Sequence, residues 1–138
     1  MRKLMMVTAA ALTAALGVAV PAQATVNDVD RPFDLAYGNS TAAGTIHFTD
    51  GYTATVSGNV HAASGFRRIC AYGVNGSASS GLICSPYAQA GGPNQPLSGS
   101  LRIAVSGGVQ RVYITMYDEN TTRLTEKSCT RTGCRTEA

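Results

Sequence analysis

Period-two alternation constrains this chain more than any other feature. Phe33, Leu35 and Tyr37 alternate with Asp34 and Ala36, and Ile46 and Phe48 alternate with Thr45, His47 and Thr49. Tyr52, Ala54, Val56, Gly58, Val60 and Ala62 then alternate with Thr53, Thr55, Ser57, Asn59 and His61. Successive side chains of a strand point to opposite faces, so the pattern fits half-buried β-strands. Beyond Thr25 no stretch offers three helical turns with apolar residues at i, i+3, i+4 and i+7, and the Thr, Val, Ile and Tyr that fill the pattern favour strands.

Turn residues suggest how the strands join. Between the second and third runs lies Asp50-Gly51, where a two-residue turn would set core Phe48 against surface Thr53. A three-residue loop, Thr49-Asp50-Gly51 with a left-handed Gly51, instead sets Phe48 opposite Tyr52 and Ile46 opposite Ala54. Gly107-Gly108 predicts a two-residue hairpin with Ile103 opposite Val112, Leu101 opposite Ile114 and Gly99 opposite Met116 on its apolar face. Its other face pairs Arg102 with Tyr113, Ala104 with Arg111, Ser100 with Thr115 and Ser98 with Tyr117.

Phe66 to Val74 reads as a strand whose weaker alternation fits a bulge or burial on both faces, with Leu82-Ile83-Cys84 as its neighbour. The loop from Ser85 to Pro96, rich in Gly, Pro, Asn and Gln, is expected to cross between sheets. Arg123 to Ser128 has Leu124 as its one apolar side chain and reads as a charged edge strand. About eight strands and no helix predict an all-β, immunoglobulin-like antiparallel β-sandwich, in a single domain spanning residues 25–138.

The first 24 residues read as a signal peptide. Arg2 and Lys3 precede an apolar run from Leu4 to Val20, and Pro21-Ala22-Gln23-Ala24 ends in the small-x-small pattern of a cleavage site. A run of about 17 residues is short for a bilayer span, so the expected product begins at Thr25, has no stable membrane insertion and is secreted and extracellular. Cleavage leaves 114 residues (138 minus 24) with nine basic and eight acidic side chains, a net charge near +1 against +3 for the whole chain. That balance removes the support for nucleic acid as a partner.

Cys70, Cys84, Cys129 and Cys134 are even in number and destined for an oxidising compartment, so disulfides are expected. Three connectivities exist, of which Cys70 with Cys84 and Cys129 with Cys134 is favoured, because Thr130-Arg131-Thr132-Gly133 has tight-turn composition. The spacings contain no C-x2-C pair, which argues against zinc.

No G-x-S-x-G elbow, H-E-x-x-H pair or glycine-rich phosphate loop occurs, and no catalytic residue, metal or cofactor is assigned. His47 and His61 fall on the polar sides of their strands. Asp118-Glu119-Asn120 reads as a turn rather than a pair of acid/base carboxylates. Asp28, Asp30 and Asp34 lack the glycine and distal glutamate of an EF-hand loop and read as a solvated terminus. N-x-S/T sequons stand at Asn39, Asn75 and Asn120.

The candidate binding residues are Arg102, Arg111, Tyr113 and Tyr117, on the outward face of the predicted glycine-turn hairpin, with Arg67-Arg68 as an extension. Arg and Tyr combine planar hydrogen bonding with a cation-π option and are enriched at binding hot spots. The expected function is a non-enzymatic secreted binding or interaction module for an extracellular protein, glycan or small molecule. A small-molecule carrier apoprotein or a secreted enzyme inhibitor is the alternative.

The alanine-rich leader, the ATVSG strand at Ala54 to Gly58 and the GGVQRV stretch at Gly107 to Val112 give the chain a resemblance to small secreted β-sandwich proteins of filamentous soil bacteria, many without assigned function. The longer-spaced cysteine pair, followed about forty-five residues later by Cys129-Thr-Arg-Thr-Gly-Cys134, is similar to the disulfide pattern of neocarzinostatin-type apoproteins. That family's sandwich holds an enediyne chromophore in a cleft. This chain stops at Ala138, where that family continues into a further strand, and its first loop differs in length, so no binding residues are carried over.

Overall fold

A computed structural model describes residues 28–138; the expected signal peptide and its cleavage site before Thr25 lie outside the described residues. Eleven strands follow in order: β1 (Val29–Tyr37), β2 (Ser40–Phe48), β3 (Thr53–His61), β4 (Phe66–Asn75), β5 (Ala78–Ser79), β6 (Ile83–Cys84), β7 (Ala88–Gln89), β8 (Gln95–Arg102), β9 (Arg111–Tyr117), β10 (Arg123–Thr130) and β11 (Gly133–Glu137). No helix occurs among the described residues. One sheet has the order β1-β2-β3-β8 and the other β11-β10-β9-β4-β5, with β6 and β7 also paired to β4. Every pairing is antiparallel.

The sandwich forms because each sheet has one apolar face. Phe33, Leu35, Ile46, Phe48, Val56, Val60, Leu97 and Leu101 of the first sheet meet Ile69, Ala71, Val112, Ile114 and Met116 of the second in one buried cluster. Removal of this apolar surface from water is the main term favouring the fold. β4 explains its own irregular pattern: Ile69, Cys70 and Ala71 are all buried, so its middle is covered on both faces. The Cys70–Cys84 bridge joins directly opposed residues of β4 and β6. Cys129–Cys134 does the same across β10 and β11.

Two glycines set how closely β1, β2 and β3 can pack. Gly44 and Gly58 face each other across β2 and β3, and Phe33 is paired with Gly44. A Cβ on Gly58 would lie 2.6 Å from the Ala43 carbonyl oxygen and 2.9 Å from the Phe33 ring. A Cβ on Gly44 would run into the Ser57 carbonyl oxygen and lie 2.8 Å from the same ring. One large side chain thus occupies the space that two smaller ones would need, and the core keeps its density.

Three expectations need correction. Phe48 pairs with Ala54 and Ile46 with Val56, so the turn spans Thr49 to Thr53 instead of three residues. The Thr49 side chain causes the longer turn: its Oγ1 donates to the Thr53 carbonyl at 2.6 Å and accepts from the Gly51 amide at 3.3 Å. Tyr52 therefore leaves the sheet and lies under the Arg102 guanidinium, 5.5 Å from ring centroid to Cζ.

The Gly107-Gly108 hairpin does not form. β8 pairs with β3, β9 pairs with β4 and β10, and residues 103–110 cross from one sheet to the other. Ile103 and Val112 are both buried in the core cluster, as the alternation requires, but they are not ladder partners. The crossover is held by the Ile103 amide on the Tyr52 carbonyl and the Gln110 amide on the Val74 carbonyl, both at 3.0 Å. Gly108, at φ +59°, fits where a Cβ would lie 2.7 Å from Tyr52 Cα.

The third correction concerns β10, which is interior, between β9 and β11. Its polar residues are accommodated because they bond to one another: Glu126 and Ser128 are buried and both are hydrogen-bonded. The edge is β11.

An arginine closes each end of the sandwich. Arg131, in the turn enclosed by the Cys129–Cys134 bridge, donates to the Val109 carbonyl at 3.2 Å and the Thr49 carbonyl at 2.8 Å, with its guanidinium 5.2 Å from the Phe48 ring centroid. Arg31 of β1 donates through both Nε and Nη2 to the Arg131 carbonyl. At the opposite end Arg67 donates to the Phe66 carbonyl at 2.8 Å and Ser64 Oγ at 3.2 Å, lies 3.8 Å from Glu119 and sits 6.0 Å from the Tyr37 ring centroid. Arg131 supplies donors to two carbonyls, and Arg67 to one carbonyl and one hydroxyl, at the ends where the strands give way to loops.

Two substitutions test these features by chemical denaturation. Gly44→Ala is expected to lower stability by about 3 kcal/mol through overpacking, while Gly51→Ala, which meets nothing closer than 4.0 Å, should stay within about 0.5 kcal/mol of the parent; equal midpoints would contradict the packing argument. Arg131→Met, which retains the apolar stem but leaves two carbonyls without their donor, should cost about 3 kcal/mol.

Candidate functional site

The outer face of the second sheet gathers the chain's most concentrated chemistry. Strand parity places Arg68 and Tyr72 of β4, Arg111, Tyr113, Thr115 and Tyr117 of β9, Glu126 and Ser128 of β10, and Arg135 and Glu137 of β11 on this side, and a register shift between Arg123 and Thr125 sets Arg123 of β10 beside Tyr117 on the same side. The register aligns them in rows. Tyr72, Tyr113, Ser128 and Arg135 lie side by side, as do Thr115, Glu126 and Glu137, and as do Arg68, Tyr117 and Arg123.

The two central tyrosines stack, with centroids 5.2 Å apart and ring planes within 13°. Directly opposed strand residues have the spacing that lets two rings meet in this way. Burial, then the nearby Glu126 carboxylate, raises the Tyr72 hydroxyl above its ordinary value, so it remains a neutral donor at physiological pH. Arg68 lies 4.8 Å from the ring centroid of Tyr87, which extends the aromatic surface toward β7.

Two carboxylates organise the arginines. Glu126, 8% exposed, accepts from Thr115 Oγ1 at 2.6 Å through Oε2 and lies 3.3 Å from Arg123 Nη1 through Oε1. Glu137 accepts from Ser128 Oγ at 2.5 Å and Arg135 Nε at 2.8 Å, and Arg111 Nη1 donates to the same Ser128 oxygen at 2.8 Å. The Ser128 hydroxyl, followed by Arg135, holds the Glu137 carboxyl below its usual range. The two carboxylates, directly opposed on β10 and β11, are thus flanked by Arg123 on one side and by Arg135 and Arg111 on the other.

Arg111, Tyr113 and Tyr117 belong to this face. Arg102 does not: it ends β8 on the outer side of the opposite sheet, because β8 and β9 are joined by a crossover and not by a hairpin. Arg68 joins the face, whereas Arg67 turns inward and is 9% exposed. Sequence reasoning missed Tyr72, Arg123, Glu126, Arg135 and Glu137. The signal was parity: Arg68, Cys70 and Tyr72 alternate with Ile69, Ala71 and Gly73, and Glu126 and Ser128 alternate with Thr125 and Lys127.

The remaining candidates have structural partners. His47 Nδ1 meets Asp30 at 2.5 Å and Nε2 meets Asp28 at 3.4 Å, while Asp34 pairs with Lys127 at 3.0 Å, so the N-terminal acidic cluster is divided between two cations. His61 Nδ1 lies 3.0 Å from Asn94 Oδ1. Asp118 Oδ1 accepts the amides of Asn120 at 2.9 Å and Thr122 at 2.8 Å, a turn that carries Thr121 at φ +62°. Asn75 Nδ2 donates to the carbonyls of Ser106 and Gly108. Among the described residues no group of three or more His, Cys, Asp or Glu could hold a metal ion.

The described residues form open concavities at two places of note. One, of about 350 Å³, is lined by Gln110, Arg111, Thr130, Arg131 and Thr132, at the corner where β9 begins and β10 turns into β11. The other, of about 400 Å³, crosses the middle of β2, β3 and β8 and is lined by small residues such as Ala43, Ser57 and Ser98.

No family model, curated protein or solved structure matches this chain.

The His47 cluster sets a pH dependence. Its hydrogen bond to Asp30 raises the His47 pKa above the ordinary 6.5, with smaller contributions from Asp28. A folded-state pKa above the unfolded value gives stability that is complete below about pH 6.5 and is lost as pH rises through the folded pKa. The melting-temperature difference between the parent and His47→Asn should therefore be largest in mild acid and shrink as the solution is made alkaline. A difference that grows with pH would refute the assignment.

Proposed function

We propose that this protein is a secreted, non-enzymatic binding module with an immunoglobulin-like β-sandwich, and that it engages its partner through the outer face of the second sheet. The observation that carries this reading is the stacked Tyr72–Tyr113 pair within a lattice of paired arginines and glutamates. Tyr offers a large apolar area with a polar tip at little entropic cost, and Arg offers planar multidentate contacts. Their mutual hydrogen bonds hold them in place before any partner arrives, which lowers the cost of binding. Two disulfides in a single small domain fit an extracellular working place, in accord with the leader at residues 1–24.

An extracellular protein is the partner class best suited to this face. The stacked rings cover one face of each other, which leaves less ring surface for a sugar to lie on, whereas edges, hydroxyls and guanidinium forks suit a peptide surface. A secreted enzyme as target, with this chain as its inhibitor, is one form of that reading. The small-molecule carrier is a second reading, favoured by the concavity of about 350 Å³ beside Arg111 and Arg131, a size that suits a small ligand.

The test is affinity capture from the extracellular fraction of the producing organism, followed by titration of the captured protein. Tyr113→Ala is expected to weaken binding by about thirtyfold or more, and Ser57→Ala, on the opposite sheet, should leave it unchanged. Failure to capture a saturable partner, or equal affinity of Tyr113→Ala and the parent, would reject the proposed face.

A further inference from the structure

Three guanidinium groups converge on one corner of the fold without a carboxylate to neutralise them. Arg31, Arg111 and Arg131 have no acidic group within 4.0 Å among the described residues; the same holds for Arg68 and Arg102, but those two lie apart from this corner, against Tyr87 and Tyr52. Arg131 spends Nη1 and Nη2 on backbone carbonyls, and its Nε, like those of Arg67 and Arg68, is buried with no hydrogen-bond partner. Arg111 makes one side-chain hydrogen bond, from Nη1 to Ser128 Oγ, which leaves the rest of its fork unused. The nearest acidic influence on Arg111 is Glu137, reached through the Ser128 hydroxyl. Arg111 and Arg131 both line the concavity of about 350 Å³, whose other lining residues, Gln110, Thr130 and Thr132, carry no charge.

Guanidinium charge in a part-buried position without a counter-ion is costly unless something completes it. An anion seated in the concavity would meet the free part of the Arg111 fork and the charge of Arg131. The Thr130 and Thr132 hydroxyls, 3.0 Å from each other, stand beside it. Donors supplied by two different elements, β9 and the β10–β11 turn, suit oxygens arranged in three dimensions better than a planar carboxylate, which one fork can satisfy. The turn is rigidly placed, since the Cys129–Cys134 bridge closes it and Arg31 grips its Arg131 carbonyl.

We propose that this corner is a binding site for a tetrahedral oxyanion, a phosphate or sulfate group that is either free or the terminus of a monoester. The site shares Arg111 with the outer face of the second sheet but does not use the stacked tyrosines, and it stands whether or not that face has a protein partner.

The test uses the full mature chain labelled with nitrogen-15, titrated with sodium sulfate, sodium phosphate, glycerol 3-phosphate and sodium acetate, each against sodium chloride at matched ionic strength. Saturable shifts of the Arg111 and Arg131 Nε–H signals are expected with the tetrahedral anions. Tighter binding of the monoester than of inorganic phosphate would support an ester as the source, and the reverse order would support the free ion. Arg111→Gln should weaken binding about tenfold or more, and Arg111→Lys should recover part of it. Tyr72→Ala should leave it unchanged, so failure here is distinguishable from failure of the tyrosine face. Absence of a saturable response beyond chloride, tighter binding of acetate than of sulfate, or unaltered affinity in both Arg111 variants would overturn the proposal.

Discussion

The fold depends on how its open ends are closed. A sandwich buries apolar side chains between its sheets, but at each end strands finish and backbone carbonyls lose their ladder partners. With no Trp and three Phe, this chain has few large rings with which to plug those ends. Arginine takes that part: Arg131 reaches across to Thr49 and Val109, and Arg67 bridges Ser64, Phe66 and the Glu119 turn. A guanidinium is weakly hydrated for an ion and presents five donors, so it can enter a half-dry position at lower cost than an ammonium. The Cys129–Cys134 bridge matters chiefly through this arrangement, because it fixes the turn from which Arg131 extends.

Parity and partnership were not equally legible in the sequence. Alternation assigned the inward side correctly for Phe33, Leu35, Ile46, Phe48, Ala54, Val56, Val60, Leu101, Ile103, Val112, Ile114 and Met116, because a side chain's face depends on local backbone geometry alone. Which strand lies beside which depends on connections. Gly107-Gly108 has the composition of a tight hairpin, and the same two glycines serve equally well where the chain must pass close to Tyr52 on its way to the other sheet. The two-sheet pairing that resulted satisfies the same apolar pattern, so hydrophobicity could not choose between them. The loop at Thr49 shows the same limit on a smaller scale: a single hydroxyl on the Thr53 carbonyl lengthened it and shifted the register by two, which moved Tyr52 out of the sheet and left Phe48, Ala54 and Val56 facing inward.

The candidate face was half legible for the same reason. Arg111, Tyr113 and Tyr117 share one strand and could be grouped by counting in twos. Tyr72 comes from a strand far away in the chain, and Glu126, Arg135 and Glu137 from the next two strands, whose register was not read from the sequence; they meet the first three only through strand pairing. Arg102 was assigned to that face by the hairpin and left it when the hairpin dissolved. The Glu126–Thr115 and Glu137–Ser128 contacts also explain why a strand as polar as β10 can be interior: its charge is matched within the sheet.

The two outer surfaces of the sandwich differ sharply. The middle of the first sheet shows Ala43, Thr45, Thr55, Ser57, Asn59, Ser98 and Ser100, small and uncharged, while the second sheet carries the rings and the ions. A molecule docked by its tyrosine side would turn a carpet of hydroxyls outward. Many copies lined up on one support would then present its surroundings with hydroxyls, the rings and ions being turned inward.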